Sequence, residues 1–183
     1  MNRSDALKAV TNNVKNQNLV KHMIATESIM RALAIKFHEN AEEWGLAGLL
    51  HDVDIEILAG DMTEHGKLSA QMAQKMGVNP DIAHAILCHN SALGVACDTL
   101  MDKALLCADP LTGLITAGAL IKPEKKLGAV QAASISKRFK EKSFAAGANR
   151  EQIASCAMLG LTLDEFIALG LAAMQSISSD LGL

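Results

Sequence analysis

Three passages place imidazoles or carboxylates where an apolar helix would otherwise continue. In Gly-Leu-Ala-Gly-Leu-Leu-His-Asp-Val-Asp, residues 45–54, His51 and Asp52 directly follow Leu49 and Leu50. Neighbouring helical positions diverge by about 100°, so both side chains can reach one cation. The alternative is a helix end with a hydrogen-bonded histidine and a solvated aspartate. In Ala-Leu-Leu-Cys-Ala-Asp-Pro-Leu-Thr-Gly-Leu-Ile, residues 104–115, Asp109 is flanked by apolar residues on both sides. An ionised carboxylate against a core costs several kcal/mol unless it is paired or coordinates a metal. Lys103, six positions back, is no obvious partner. An N-cap ahead of Pro110, with one helix ending and another beginning, is the competing account of this aspartate. His22 adjoins the apolar stripe of residues 19–37. Alone it reads as a core histidine, and it gains weight only beside the others. Two imidazoles and two carboxylates suit Mn, Fe, Mg, Ni, Co or Zn better than thiolate-loving metals.

The remaining histidines divide by position. His65 opens the helix expected after a break, and His89 ends the helix that contains His84. Five positions separate His84 from His89, so they point about 140° apart and are not expected to share an ion. His84, among Ile82, Ala83 and Ile86, reads as a core or supporting residue, and His38 as a solvated helix terminus. No G-x-S-x-G elbow, Walker A loop or G-x-G-x-x-G occurs, which removes support for the common covalent-hydrolase, P-loop and dinucleotide chemistries.

The elements that must hold these residues read as helices throughout. No segment sustains the period-two pattern of a strand, whereas apolar residues recur at three and four repeatedly. Leu19, Val20, Met23, Ile24, Met30, Leu33, Ala34 and Phe37 form one such stripe. The expected helices run from a Ser4 cap to about Lys15, across 19–37, from Ala41 (capped by Asn40) to about Asp52, and from about Glu64 to Lys75. Asn79-Pro80 starts another, to about Asn90. A longer one spans Asp98 to about Ile121 with Pro110 inside. A basic amphipathic stretch follows over Gln131–Lys142, then helices over Asn149–Leu159 and Leu163–Leu181. Thr162 and Glu165 form a capping box for the last. This predicts an all-α bundle of about eight helices in one domain over 1–183, with residues 123–183 as a C-terminal helical extension.

Composition bounds the class. The chain has 183 residues, 17 Lys plus Arg against 20 Asp plus Glu, a formal charge of −3, and is half hydrophobic. A chain of this size can bury roughly 70% of its unfolded surface without disulfide staples. Disorder is excluded, and so is a general nucleic-acid binder with a strongly basic face, so no DNA binding is expected. Met1–Lys15 contains no apolar signal region. Leu111–Ile121 is about half the ~20 residues a membrane span needs. The four cysteines, Cys88, Cys97, Cys107 and Cys156, form no CxxC pair. A cytoplasmic protein with reduced thiols and no membrane partner is the expectation. Lys122, Lys125, Lys126, Lys137, Arg138, Lys140 and Lys142 against Glu124 and Glu141 give a local balance of +5 over 122–142, leaving −8 elsewhere. Lys122 with Lys126, and Arg138 with Lys142, share faces if those stretches are helical. They are candidates for reading a substrate phosphate; a merely solvated basic face is the plainer alternative.

The order His22, His51-Asp52, Asp109 resembles the H…HD…D signature of the HD-domain superfamily of metal-dependent phosphohydrolases. The surrounding text resembles small stand-alone members: Leu-Val-Lys-His at 19–22, Trp-Gly-Leu-Ala-Gly-Leu-Leu-His-Asp at 44–52, Ala-Asp-Pro-Leu-Thr-Gly-Leu-Ile at 108–115 and Lys-Arg-Phe-Lys-Glu-Lys-Ser-Phe-Ala-Ala-Gly at 137–147. The resemblance implies an all-helical domain with His22, His51, Asp52 and Asp109 around a divalent metal. Members with two metals add two histidines between the HD pair and the last aspartate, and His65 and His89 occupy that interval. Those two either complete a second site or line the pocket. The implied activity is hydrolysis of a small phosphorylated compound, such as a nucleotide, by a metal-activated water, with Asp52 the catalytic residue. A di-iron oxygenase and a non-catalytic signalling module are the alternatives within the superfamily. Oligomeric state is left open.

Overall fold

The computed structural model describes residues 1–183 and is helical throughout, with no strand. Ten α-helices follow in order: α1 Arg3–Asn13, α2 Gln17–Phe37, α3 Ala41–Leu50, α4 Lys67–Lys75, α5 Pro80–His89, α6 Leu100–Leu120, α7 Ala132–Phe139, α8 Arg150–Ala154, α9 Leu163–Ser176 and α10 Ser178–Leu181. One core cluster of 44 buried residues draws on helices from α1 to α10. Residues 123–183 contribute to it through Leu127, Ile135, Ile153, Phe166 and Met174.

Caps set most boundaries. Asn2, not Ser4, caps α1: its Oδ1 accepts the N–H of Asp5 at 3.0 Å, so the helix starts two residues earlier than a Ser4 cap would give. Asn40 caps α3 as expected, accepting from Glu42 and Glu43. Asn79 accepts from Asp81 ahead of Pro80. Thr99 and Asp102 form a capping box that starts α6. Helix α6 then runs unbroken through Pro110 to Leu120, so Asp109 is a mid-helix residue and not an N-cap. The expected C-terminal helix over Leu163–Leu181 divides at Ile177 into α9 and α10.

Helices α2, α3 and α6 bring the chemistry together. Helix α2 packs closely on α3, and Gly48 makes that approach possible: a Cβ there would lie 2.8 Å from the Glu27 backbone nitrogen. Glu27, 2% exposed, is held in this crossing by Arg3 (2.6 and 2.9 Å) and Arg31 (2.9 Å). The two guanidinium groups give a buried carboxylate the pairing it requires. Over its 21 residues α6 has the length and mean hydropathy of a membrane span. It serves instead as a core helix, packed against α2, α5, α7, α8 and α9, and carries Asp102, Lys103 and Asp109.

Gly48→Ala is expected to destabilise the protein by about 1–3 kcal/mol, because the new methyl meets backbone that cannot rotate away. Chemical denaturation measures this, and an unchanged midpoint contradicts the close approach of α2 and α3.

Candidate metal centre

His22 projects from the first turns of α2, and Asp109 from the middle of α6. His51 and Asp52 follow the last residue of α3. Beyond them, residues 51–66 form a chain of turns rather than a helix. Those turns fold back on one carboxylate. Asp54, fully buried, accepts His65 Nδ1–H at 2.8 Å through Oδ1, and the N–H groups of Gly66 and Ser69, each at 2.9 Å, through Oδ2. Ser69 Oγ returns the contact by accepting the Asp54 N–H at 3.1 Å. Gly66 adopts φ +87°, a conformation that favours glycine. Helix α4 consequently starts at Lys67 rather than Glu64, with His65 ahead of it and directed inward. The 13 positions between Asp52 and His65 are spanned in this way. His89 ends α5, and Asn90 locks the two segments together by donating Nδ2–H to the carbonyls of Met62 (2.8 Å) and His65 (2.9 Å).

All four imidazoles share one orientation rule. His51 Nδ1 lies 2.8 Å from the Gly48 carbonyl and His89 Nδ1 2.5 Å from that of Ile86. A carbonyl oxygen only accepts, so Nδ1 carries the proton in both. His65 Nδ1 faces the Asp54 carboxylate. His22 Nδ1 lies 2.8 Å from Thr112 Oγ1, which donates its own proton to the Asp109 carbonyl at 2.7 Å. Thr112 is thereby left to accept, and Nδ1 is again the donor. Each neutral ring then has its lone pair on Nε2.

Those Nε2 atoms converge. His22 and His51 approach to 3.2 Å, and His65 and His89 to 3.1 Å. Asp52 lies between the pairs: Oδ1 is 3.2 Å from His51, 3.3 Å from His65 and 3.4 Å from His89, and Oδ2 is 3.5 Å from His22. Asp109 Oδ1 is 3.0 Å from His22 and 3.7 Å from His51. Lone pairs facing each other in a buried space repel unless a proton or cation sits between them. Two donors each ~2.1 Å from a shared ion lie ~3.0 Å apart at an octahedral angle and ~3.4 Å apart at a tetrahedral one. The observed separations fall at or close to these polyhedron edges. The cluster therefore has the donor chemistry and dimensions to hold a divalent metal.

Without an ion, charge settles onto protons. Burial opposes the imidazolium at His22, but Asp109 and Asp52 overcome it and push the group up to about 10. At His65 burial is likewise outweighed by Asp52 and Asp54, which raise it to about 10. His89 is raised by Asp52 against its burial. Burial resists ionisation of Asp52 and Asp109 too. The His51 charge and the hydrogen bonds from His22, His65 and His89 nevertheless hold Asp52 well below the usual carboxylate range, and His22 and His51 do the same for Asp109.

All six donors expected from the sequence thus meet in one place. The four basic candidates do not join them. Lys122 and Lys126 lie beyond the end of α6, and Lys142 beyond the end of α7, so the helical faces that would have paired them are not formed. Lys126 Nζ donates to the Gly182 carbonyl at 3.4 Å, and Arg138 pairs with Glu141 at 3.3 Å and lies over the Phe144 ring. None of the four lines the cavity at Asp52, of about 340 Å³, whose polar walls include Asn90, Ser91, Asn149 and Gln152. His38 is exposed at the end of α2, as expected. Asp54 and Thr112, which orient His65 and His22, escaped sequence reasoning; the aspartate two positions after Asp52 was the available signal.

An all-helical domain that gathers histidine and aspartate donors from α2, the end of α3, the 51–66 turns, the end of α5 and the middle of α6 has the donor set of a metal-binding class. The profile of the HD domain family matches residues 19–112, and the chain belongs to that family. Among curated proteins it is similar to Ribonuclease Y of Geotalea uraniireducens (strain Rf4), 29% identical over 98 residues, covering 54% of this chain and 18% of that protein. Ribonuclease Y of Acidothermus cellulolyticus (strain ATCC 43068 / DSM 8971 / 11B) is 27% identical over 75 residues, covering 41% and 15%. The match thus spans less than a fifth of the length of either relative. No solved structure matches.

Loading the centre requires Nε2 lone pairs, and the raised histidines hold protons near neutrality. Divalent metal binding to the metal-free protein should therefore release protons, and apparent affinity should rise as pH increases from about 6 to 9. Calorimetric titration in buffers of different ionisation enthalpy reads this directly. A binding enthalpy independent of buffer would falsify the proposed protonation of the empty cluster.

Proposed function

We propose that the protein is a metal-dependent phosphohydrolase acting on a small phosphorylated substrate, with Asp52 as its central catalytic residue. One observation carries the reading: a single carboxylate, Asp52, is within 3.5 Å of the Nε2 atoms of all four inward-facing histidines. We assign His22, His51, Asp52 and Asp109 to one divalent ion, and Asp52, His65 and His89 to a second. Mn, Fe, Mg, Ni, Co and Zn are all compatible with this nitrogen and oxygen set. A bound ion supplies Lewis acidity, polarising a phosphoryl oxygen and lowering the pKa of a nearby water towards neutrality.

The chain's own residues perform the rest. Thr112, Gly48, Asp54 and the Ile86 carbonyl fix the four rings so that every lone pair is aimed before substrate arrives. Asp52, 8% exposed, is close to both halves of the donor set and couples them. Asn149 uses Oδ1 to cap α8, which leaves its amide N–H groups to donate into the cavity. Gln152 and Ser91 border the same space with neutral groups suited to phosphoryl and leaving-group oxygens, whereas both amide hydrogens of Asn90 are spent on the Met62 and His65 carbonyls. Four free cysteines fit a reducing cytoplasm.

The named relatives favour RNA phosphodiesters as a second class of substrate. Against this, no lysine or arginine lines the cavity at Asp52, and nothing there tracks a polyanionic strand. A screen of phosphomonoesters, nucleotides and short RNA with each added metal separates the two. Faster turnover of RNA than of any small phosphoester overturns the small-substrate assignment.

Asp52→Ala is expected to lower kcat/KM by about a thousandfold or more, some 4 kcal/mol of transition-state stabilisation, with helicity retained. His65→Ala should reduce bound metal from two ions to one and leave the His22–His51–Asp109 set filled. An active Asp52→Ala enzyme, or unchanged stoichiometry in His65→Ala, contradicts these roles.

A further inference from the structure

A second donor cluster lies outside this centre, where α5 meets the start of α6. His84 and Cys88 are four residues apart on α5 and share a face. Asp102 stands in the first turn of α6, and the 90–99 connection runs between the two helices. His84 Nδ1 is 3.1 Å from Asp102 Oδ2 and 3.4 Å from Cys88 Sγ. One donor atom from each of the three lies within 4.8 Å of the other two. The side chain of His84 is 40% exposed and lines an open cavity, which gives a ligand a path in from solvent.

Asp102 has an unmet requirement. Its side chain is fully buried, and His84 is its one ion-pair partner. Oδ2 accepts three contacts: the N–H of Asp98 at 3.0 Å, the N–H of Thr99 at 2.9 Å and His84 Nδ1. The other oxygen, Oδ1, is equally buried and accepts nothing, the one buried side-chain oxygen or nitrogen in the chain left without a partner. A carboxylate oxygen can be satisfied by a hydrogen-bond donor or by a cation, and buried polar atoms are seldom left with neither.

We propose that His84, Cys88 and Asp102 form a separate binding site for a thiophilic divalent cation, zinc by its ligand chemistry. Zinc takes cysteine sulfur, histidine nitrogen and carboxylate oxygen in tetrahedral sites, and a thiolate selects it over the harder ions that suit the Asp52 centre. Cys97 Sγ, 3.8 Å from the Cys88 carbonyl, borders the same space. The cation replaces the Cys88 thiol proton, which leaves to solvent, and adds positive charge beside a buried carboxylate whose one ion-pair partner is His84. A cysteine–histidine–aspartate set also invites comparison with a nucleophilic triad. Cys88 does not fit that role: it is 1% exposed, its Sγ donates to the Ala96 carbonyl at 3.2 Å, and burial together with Asp102 pushes the thiol up to about 12. An occupied site would pin the 90–99 connection, whose first residues Asn90 and Ser91 line the cavity at Asp52.

Cobalt(II) distinguishes the two centres, because only the proposed one contains sulfur. The full chain, stripped of metal and titrated with Co²⁺, should develop a near-ultraviolet thiolate-to-cobalt charge-transfer band. That band should persist in Asp52→Ala, vanish in Cys88→Ser, and be accompanied in Cys88→Ser by the loss of one bound ion. Absence of the band in wild-type protein, or its survival in Cys88→Ser, overturns the proposal. If Cys88→Ser loses its helical circular dichroism, His84→Gln retains the thiol and should weaken Co²⁺ binding in this band by at least about tenfold. Unchanged affinity in that variant also overturns it.

Discussion

The structure depends on how four imidazole rings are held. A neutral histidine offers one donor and one acceptor, and whichever nitrogen meets a fixed acceptor must carry the proton. Here Gly48, Ile86, Asp54 and Thr112 meet Nδ1 in every case, so every Nε2 lone pair turns inward to Asp52. Outer contacts of this kind set ring orientation and raise ligand basicity. An apolar core could not tolerate this convergence of lone pairs and carboxylates. The charge that compensates it, protonic in the empty protein and metallic in the loaded one, is what allows the centre to exist beneath a helical bundle.

The elements around the centre serve that requirement. The Gly48 carbonyl that orients His51 belongs to the residue whose missing side chain lets α3 approach α2. That approach in turn brings His51 to His22. On the other half, the Asp54 carboxylate gathers His65, Gly66 and Ser69, and Asn90 ties His65 to the end of α5. Helix α6 supplies both Asp109 and the Thr112 hydroxyl that aligns His22, one turn apart. At Gly48 packing and chemistry are not separable: the position where α3 comes close to α2 is also the one that aims the His51 ring.

Much of this was legible in the residues. The helical period gave the fold class, and Asn40, Asn79-Pro80 and the Thr162–Glu165 box mark real helix starts because each offers a local oxygen to an unpaired N–H. His22, His51, Asp52 and Asp109 stood out because polar groups interrupted apolar runs. The path from Asp52 to His65 was not legible, since it rests on the buried contacts of Asp54 across 11 to 15 positions. Helix α6 was expected to run through Pro110, and it does. The alternative of a boundary at Pro110 fails because burial of Leu105, Leu111, Leu114 and Ile115 outweighs the lost backbone bond and keeps the helix continuous. The basic residues of 122–142 read as paired faces only while those stretches were assumed helical. At Asp102 the sequence offered only His84 as a core or supporting residue, because an unpartnered oxygen exists only in three dimensions.

Anomalous diffraction from crystals grown with Mn²⁺ locates ions at Asp52 without reference to activity. Manganese peaks are expected among the Nε2 atoms of His22, His51, His65 and His89, on both sides of Asp52, with all four rings retaining their Nδ1 contacts. A map with no anomalous peak in the cluster, or with rings turned so that Nδ1 faces inward, would contradict the assignment of metal to these residues.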